Sequence, residues 1–329
     1  MSRTLAITLS LTATLGLAAC GSPTDEKAAA TGAAASSSPD AQGTLTVASK
    51  GGDVQVPRNP QRVVALDNTS FETLQAFGIT PVAAPKGLLP KDLDAWKKDP
   101  NVLDVGNHRE PKLEVVAQAR PDLIVGGKRF EKVTDDLQKL SPVVDLAPEV
   151  ESRDYVADLK KQTTTIGEIF GRQADAKALN DALDASVAKA VKAAKATSGQ
   201  TVFLANHNGG KIDNAAGRIG ALLQPLPMTE VFGTTPNSES VHQDSSLSPE
   251  TIAAKNPDVM IVMDRDAAVA KPGETVTPAS RTIEAQKAWK NTTFAKNGDI
   301  VYLRDTFYTT EGIQAYTDAY TRIAETLQR

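Results

Sequence analysis

The chain has 329 residues, 40% hydrophobic and 23% charged, with a formal net charge of −4 at pH 7 and one cysteine. The acidic balance argues against a nucleic-acid binder, which needs a basic footprint, and a single cysteine excludes an internal disulfide. Stability must therefore come from a hydrophobic core, and the length suffices for one large or two ordinary domains.

Residues 1–19 hold a basic start at Arg3 and an apolar run ending in Leu17-Ala18-Ala19, directly before Cys20. The run is too short to span a bilayer, which takes about 20 apolar residues. It resembles a lipoprotein signal peptide with its lipobox, so cleavage before Cys20 and lipid on its sulfur are expected. Residues 20–43 are rich in Ala, Ser, Gly, Thr and Pro and lack aromatics. Such a segment buries too little to offset its ordering entropy and reads as a flexible tether.

An α/β lobe is expected over 44–172. Residues 62–66 read as a short buried strand, 69–77 as a helix capped by Asn68 or Thr69 and stopped by Gly78, and 81–84 as the next strand. Short apolar runs alternating with helices predict parallel strands covered on both faces. Residues 113–125 then resemble residues 249–261. In both, a glutamate (Glu114, Glu250) precedes a Pro-Asp pair by seven positions, and an arginine (Arg129, Arg265) follows that proline by eight. Each copy predicts a short helix, a turn and a buried strand, so the chain reads as two related lobes. Between them, Ala176, Leu179, Leu183, Val187, Val191 and Ala194 mark one face of a long helix over 173–197, ended by Gly199. At 1.5 Å per residue it runs roughly 35 Å, a rigid spine before a second lobe over 198–329.

In open α/β sheets, ligands sit beyond the carboxyl ends of the strands. Arg129 and Arg265 fall there, one per lobe, and Arg218 lies in the Gly217-Arg218-Ile219-Gly220 loop. Guanidiniums suit anionic oxygens, although each arginine taken singly also fits a surface salt bridge. His242 and Tyr308 carry ligand types suited to ferric iron; taken by themselves, a solvated loop histidine and a packing tyrosine account for them better. The three histidines, His108, His207 and His242, are far apart in sequence, which speaks against a dedicated zinc or manganese cage. No nucleophile elbow, phosphate-binding loop, zinc-protease helix or paired-cysteine motif occurs, so an enzyme is not expected.

With these residues in place, the chain resembles the solute-binding lipoproteins of bacterial ferric-siderophore ABC importers, closest to the catecholate branch. The stretches that carry the resemblance are 84–91, 121–129, 217–220 and 255–265. It implies a class III periplasmic-binding-protein fold, with two Rossmann-like lobes joined by a single rigid helix, and no intrinsic cofactor. It implies that Arg129, Arg218, Arg265 and Lys86 hold an anionic Fe(III)-siderophore, with His242 and Tyr308 as ligands to its iron. Glu114 and Glu250 become candidate docking residues for the permease, although helix-dipole compensation explains them as well. The implied protein is a monomer, anchored through Cys20 to the outer face of the cytoplasmic membrane, that delivers its cargo to a permease and its ATPase. Alternatives that keep the fold are haem, a corrinoid or a hydroxamate complex as ligand; alternatives that leave it are an extracellular hydrolase or an adhesive lipoprotein.

Overall fold

The computed structural model describes residues 43–106, 110–149, 151–197, 199–233, 247–271 and 273–328. Cys20, the expected signal peptide and tether, His108 and His242 lie outside the described residues.

The chain enters through an antiparallel hairpin, β1 (Thr44–Ser49) and β2 (Gly52–Pro57). Five short strands follow: β3 (Val63–Ala65), β4 (Ala83–Ala84), β5 (Leu103–Asp104), β6 (Leu123–Gly126) and β7 (Val143–Asp145). They form one all-parallel sheet in the order β5-β4-β3-β6-β7. Every residue of β3 and β6 is buried, as expected for parallel strands covered on both faces. Val63, Ala65, Leu123 and Val125 pack into one cluster, and Val64, Leu66 and Ile124 into another. This is the alternation that a strand imposes.

The second sheet joins β8 (Thr201–Asn208), β9 (Lys211–Asn214), β10 (Thr229–Glu230), β11 (Val259–Asp264) and β12 (Ile300–Tyr302). Its order is β10-β8-β11-β12, all parallel, with β9 antiparallel on β8. The strand after the first sequence repeat, β6, sits between β3 and β7; the strand after the second, β11, sits between β8 and β12.

The repeat is also a backbone repeat. Helices Leu113–Ala119 and Pro249–Lys255 end on left-handed caps, Arg120 (φ 45°, ψ 60°) and Asn256 (φ 45°, ψ 57°). The aspartate of each Pro-Asp pair then pins a neighbouring chain. Asp122 accepts from the backbone N–H groups of Gln61 and Arg62 at 2.7 and 2.9 Å, just before β3. Asp258 accepts from the Thr201 N–H at 2.8 Å and its hydroxyl at 2.9 Å, at the start of β8. Two lobes of one plan share the same turn chemistry.

Helix Gln173–Ala196 joins them. Ala176 packs into the core of the first sheet, Leu183, Ala190, Ala193 and Ala194 into that of the second, and Leu179 touches both. The spine is thus part of two cores at once.

Candidate functional site

The site forms where strand ends of both sheets meet. After β3 the chain turns through Asp67-Asn68-Thr69. Asn68 is buried and faces both lobes: its Oδ1 accepts from Arg129 Nε at 2.9 Å, and its Nδ2 donates to the Thr310 carbonyl at 3.1 Å. Arg129 follows β6 in a 3₁₀ turn, Lys128–Val133.

Arg265 opens the helix that follows β11, Arg265–Val269. Asp264 caps this helix by accepting from the Ala267 N–H at 3.0 Å, and it accepts from the Ala279 N–H at 2.8 Å. Fully buried His207 meets Asp264 through Nδ1 at 2.9 Å and the Thr282 hydroxyl through Nε2 at 3.1 Å. Burial alone would raise the Asp264 pKa; the His207 bond and the two amides outweigh it and hold it below the ordinary carboxylate value. Arg265 then donates to Asn208 Oδ1 at 2.8 Å, at the end of β8.

Tyr308, 8% exposed, has two guanidiniums close to its ring. The Arg218 carbon is 4.0 Å from its ring centroid and the Arg265 carbon 5.3 Å, within cation–π range. Arg129, Arg265 and Tyr308 line one recess, with Asn68, Lys91 and Lys97 on one side and Ala268 and Val269 on the other. Leu88, buried Leu89 and 43%-exposed Val269 add apolar surface to its lining.

The remaining candidates are placed differently. Arg218 packs directly on the Tyr308 ring, its side chain 11% exposed, and does not line the recess. Its Nε and Nη2 donate to Glu311 at 2.9 and 2.8 Å, and Nη2 also to the Tyr308 carbonyl at 3.2 Å. Burial would disfavour the charged guanidinium, but the Glu311 carboxylate outweighs it and the net pKa shift is upward. Lys86 turns back into its own loop: Nζ donates to the Asp99 carbonyl at 2.7 Å and its N–H to Asp104 at 3.0 Å. Glu114 and Glu250 are exposed in the first turns of the two matching helices.

Sequence reasoning missed Glu311, Asn68, Asn208 and Lys97. None belongs to a motif; each is recognisable only once the strand ends are brought together. Among the described residues, no group of three or more His, Cys, Asp or Glu side chains is placed to hold a metal ion.

Comparison with known proteins agrees with this architecture. The periplasmic binding protein family model matches residues 63–306. The petrobactin-binding protein YclQ of Bacillus subtilis is 30% identical over 283 residues, covering 84% of this chain and 85% of that protein. The ferric-anguibactin-binding protein FatB of Vibrio anguillarum is 26% identical, over 73% of this chain and 75% of its own. The crystal structure of the periplasmic catecholate-siderophore binding protein VctP from Vibrio cholerae superposes with a TM-score of 0.74 at 27% identity, covering 87% of this chain and 99% of that one. Two α/β lobes on one helix, with the recess between their strand ends, make the class III fold of such proteins. The chain belongs to the periplasmic binding protein family and is a binding protein, not an enzyme.

Proposed function

We propose that this protein is the lipid-anchored solute receptor of an ABC importer, capturing an anionic ferric catecholate siderophore in the recess between its lobes. The observation that carries the reading is the facing pair Arg129 and Arg265 beside Tyr308. Guanidiniums from both lobes attract anionic oxygens although the whole chain is acidic, because the field in a cleft is local. Leu88, Leu89 and Val269 suit the faces and edges of catechol rings, while Lys91 and Lys97 add charge at the rim. The relatives named for petrobactin, ferric anguibactin and catecholate siderophores support this chemical class.

In this reading the lobes are residues 44–172 and 198–329, joined by 173–197. Arg129 and Arg265 are direct contacts, Arg218 supports Tyr308 from behind, and Lys86 shapes the loop that presents Leu88 and Leu89. Tyr308 and His242 supply ligands to the iron of a chelate that leaves coordination positions open. Glu114 and Glu250 meet the permease, one per lobe. The protein acts outside the cytoplasmic membrane as a monomer, held by lipid on Cys20.

The test is a fluorescence titration of the purified protein with a ferric catecholate and with a neutral ferric hydroxamate. Wild type should bind the catecholate, and Arg129→Ala/Arg265→Ala should weaken that binding by roughly a hundredfold while affecting the hydroxamate far less. Equal losses for both chelates, or a flat titration of wild type with the catecholate, defeat the proposal.

A further inference from the structure

Glu311 sits where the lobes touch, and three features single it out. Its carboxylate takes both Nε and Nη2 of Arg218, at 2.9 and 2.8 Å, and stands 3.8 Å from Arg129 Nη2. Asn68 Nδ2 approaches it from the first lobe at 3.5 Å. Its backbone is left-handed, φ 54° and ψ 16°, a conformation in which glycine is unstrained and glutamate is not. The backbone geometry thus favours a residue without a side chain, yet a carboxylate is held there against two arginines.

The consequence is electrostatic. Arg129, Arg218 and Arg265 would together present three positive charges to a ligand. Glu311 cancels one of them, the charge of Arg218 held against the Tyr308 ring. A ferric ion with two catecholate groups carries one net negative charge; with three it carries three. A cleft with fewer uncompensated positive charges loses more attraction for the triply charged complex than for the singly charged one.

We propose that Glu311 is a specificity-determining residue: a built-in counter-anion that biases the cleft toward bis-catecholate ferric complexes over tris-catecholate ones. This rests on the functional reading above and names the chelate class within it.

The experiment titrates the full-length mature protein, Glu311→Gln and Glu311→Gly with two ferric chelates, one of a tetradentate bis-catecholate and one of a hexadentate tris-catecholate. The glutamine keeps an acceptor for Arg218 without the charge; the glycine removes the side chain and relaxes the backbone, so a folding defect in one variant leaves the other informative. Wild type should prefer the bis-catecholate complex, and both variants should shift the affinity ratio toward the tris-catecholate complex by roughly tenfold or more at low salt. The shift should shrink as salt is added. An affinity ratio unchanged in the folded variants overturns the role of Glu311 and leaves the functional reading standing. Binding of neither chelate by folded wild type overturns the functional reading, and this inference with it.

Discussion

Asp67 closes β3 inside the first lobe, 3% exposed, and it shows how one side chain links the cleft to the core. Its carboxylate accepts from the Thr69 N–H at 3.1 Å, the Thr69 hydroxyl at 2.7 Å and Gln162 Nε2 at 2.9 Å. These bonds shape the turn that presents Asn68 to Arg129. Burial is the dominant influence and pushes its pKa from 3.8 to about 6, against the pull of the Thr69 bonds. An acid whose folded pKa lies above its unfolded one contributes most when protonated: its contribution is complete below about pH 4 and is lost as pH rises through about 6. Asp67→Asn removes that titration. The stability of wild type relative to the variant should therefore fall between pH 4 and pH 7, by up to about 3 kcal/mol at ~1.4 kcal/mol per pKa unit. Urea denaturation across that range measures it, and a difference that stays constant with pH would contradict the assignment.

At the scale of elements, the two lobes meet through the turn that joins helices Phe307–Thr310 and Ile313–Leu327. Gly312 is a point of close approach: a Cβ there would lie 2.2 Å from the Thr69 carbonyl oxygen. Its backbone is extended, so sterics and not φ demand glycine. Gly312→Ala must push one lobe off the other and should cost roughly 1–3 kcal/mol, as overpacking does. Gly51→Ala, with open space around its Cβ, should stay within about 0.5 kcal/mol of wild type. If the two variants unfold at the same denaturant concentration, the contact is not structural. The same junction shows what the sequence could and could not reveal. Helix 173–196, the paired helix-turn-strand units and the strands at 63–65 and 83–84 were legible because periodicity and turn residues act locally. The helix predicted from 69 starts instead at Phe71, after a Ser70 whose hydroxyl bonds the Asp67 carbonyl at 2.8 Å, a turn built by a neighbour and not by its own capping chemistry. Arg129, Arg265 and Tyr308 were legible as candidates through the repeat and the resemblance. The bidentate pairing of Arg218 with Glu311 spans 93 positions and has no local sign; only the tertiary fold brings the two side chains together.

For the whole molecule, the decisive property is how firmly one lobe is held to the other. The spine contributes side chains to both cores, so bending it would open packed surface on each side. A second set of ties crosses the base of the cleft. Arg304 Nη2 pairs with Glu72, Thr73 Oγ1 meets Gln314 at 3.3 Å, and Thr306 Oγ1 meets Asp92 at 3.3 Å. Burial holds Glu72 above the ordinary carboxylate pKa even beside that guanidinium, so the pair is a desolvated one, and losing either partner would strand a charge. Two flexibly tethered domains would close around a ligand by a large hinge rotation; a shared helix and a pinned cleft base oppose one. Ligand capture should therefore reorient side chains such as Arg129, Arg265 and Tyr308 while the lobes stay nearly fixed. Spin labels on Lys139→Cys and Lys296→Cys, exposed positions in the first and second lobes, report the separation directly. On saturation with a ferric catecholate their mean distance should move by less than about 2 Å, the scale that separates side-chain adjustment from domain rearrangement. The melting temperature should rise as a single transition, because binding to the native state stabilises both lobes through one cooperative unit, by about 2.7 kcal/mol at a hundred times Kd. A large contraction between the labels, or separate melting of the two halves, would show that the spine behaves as a linker.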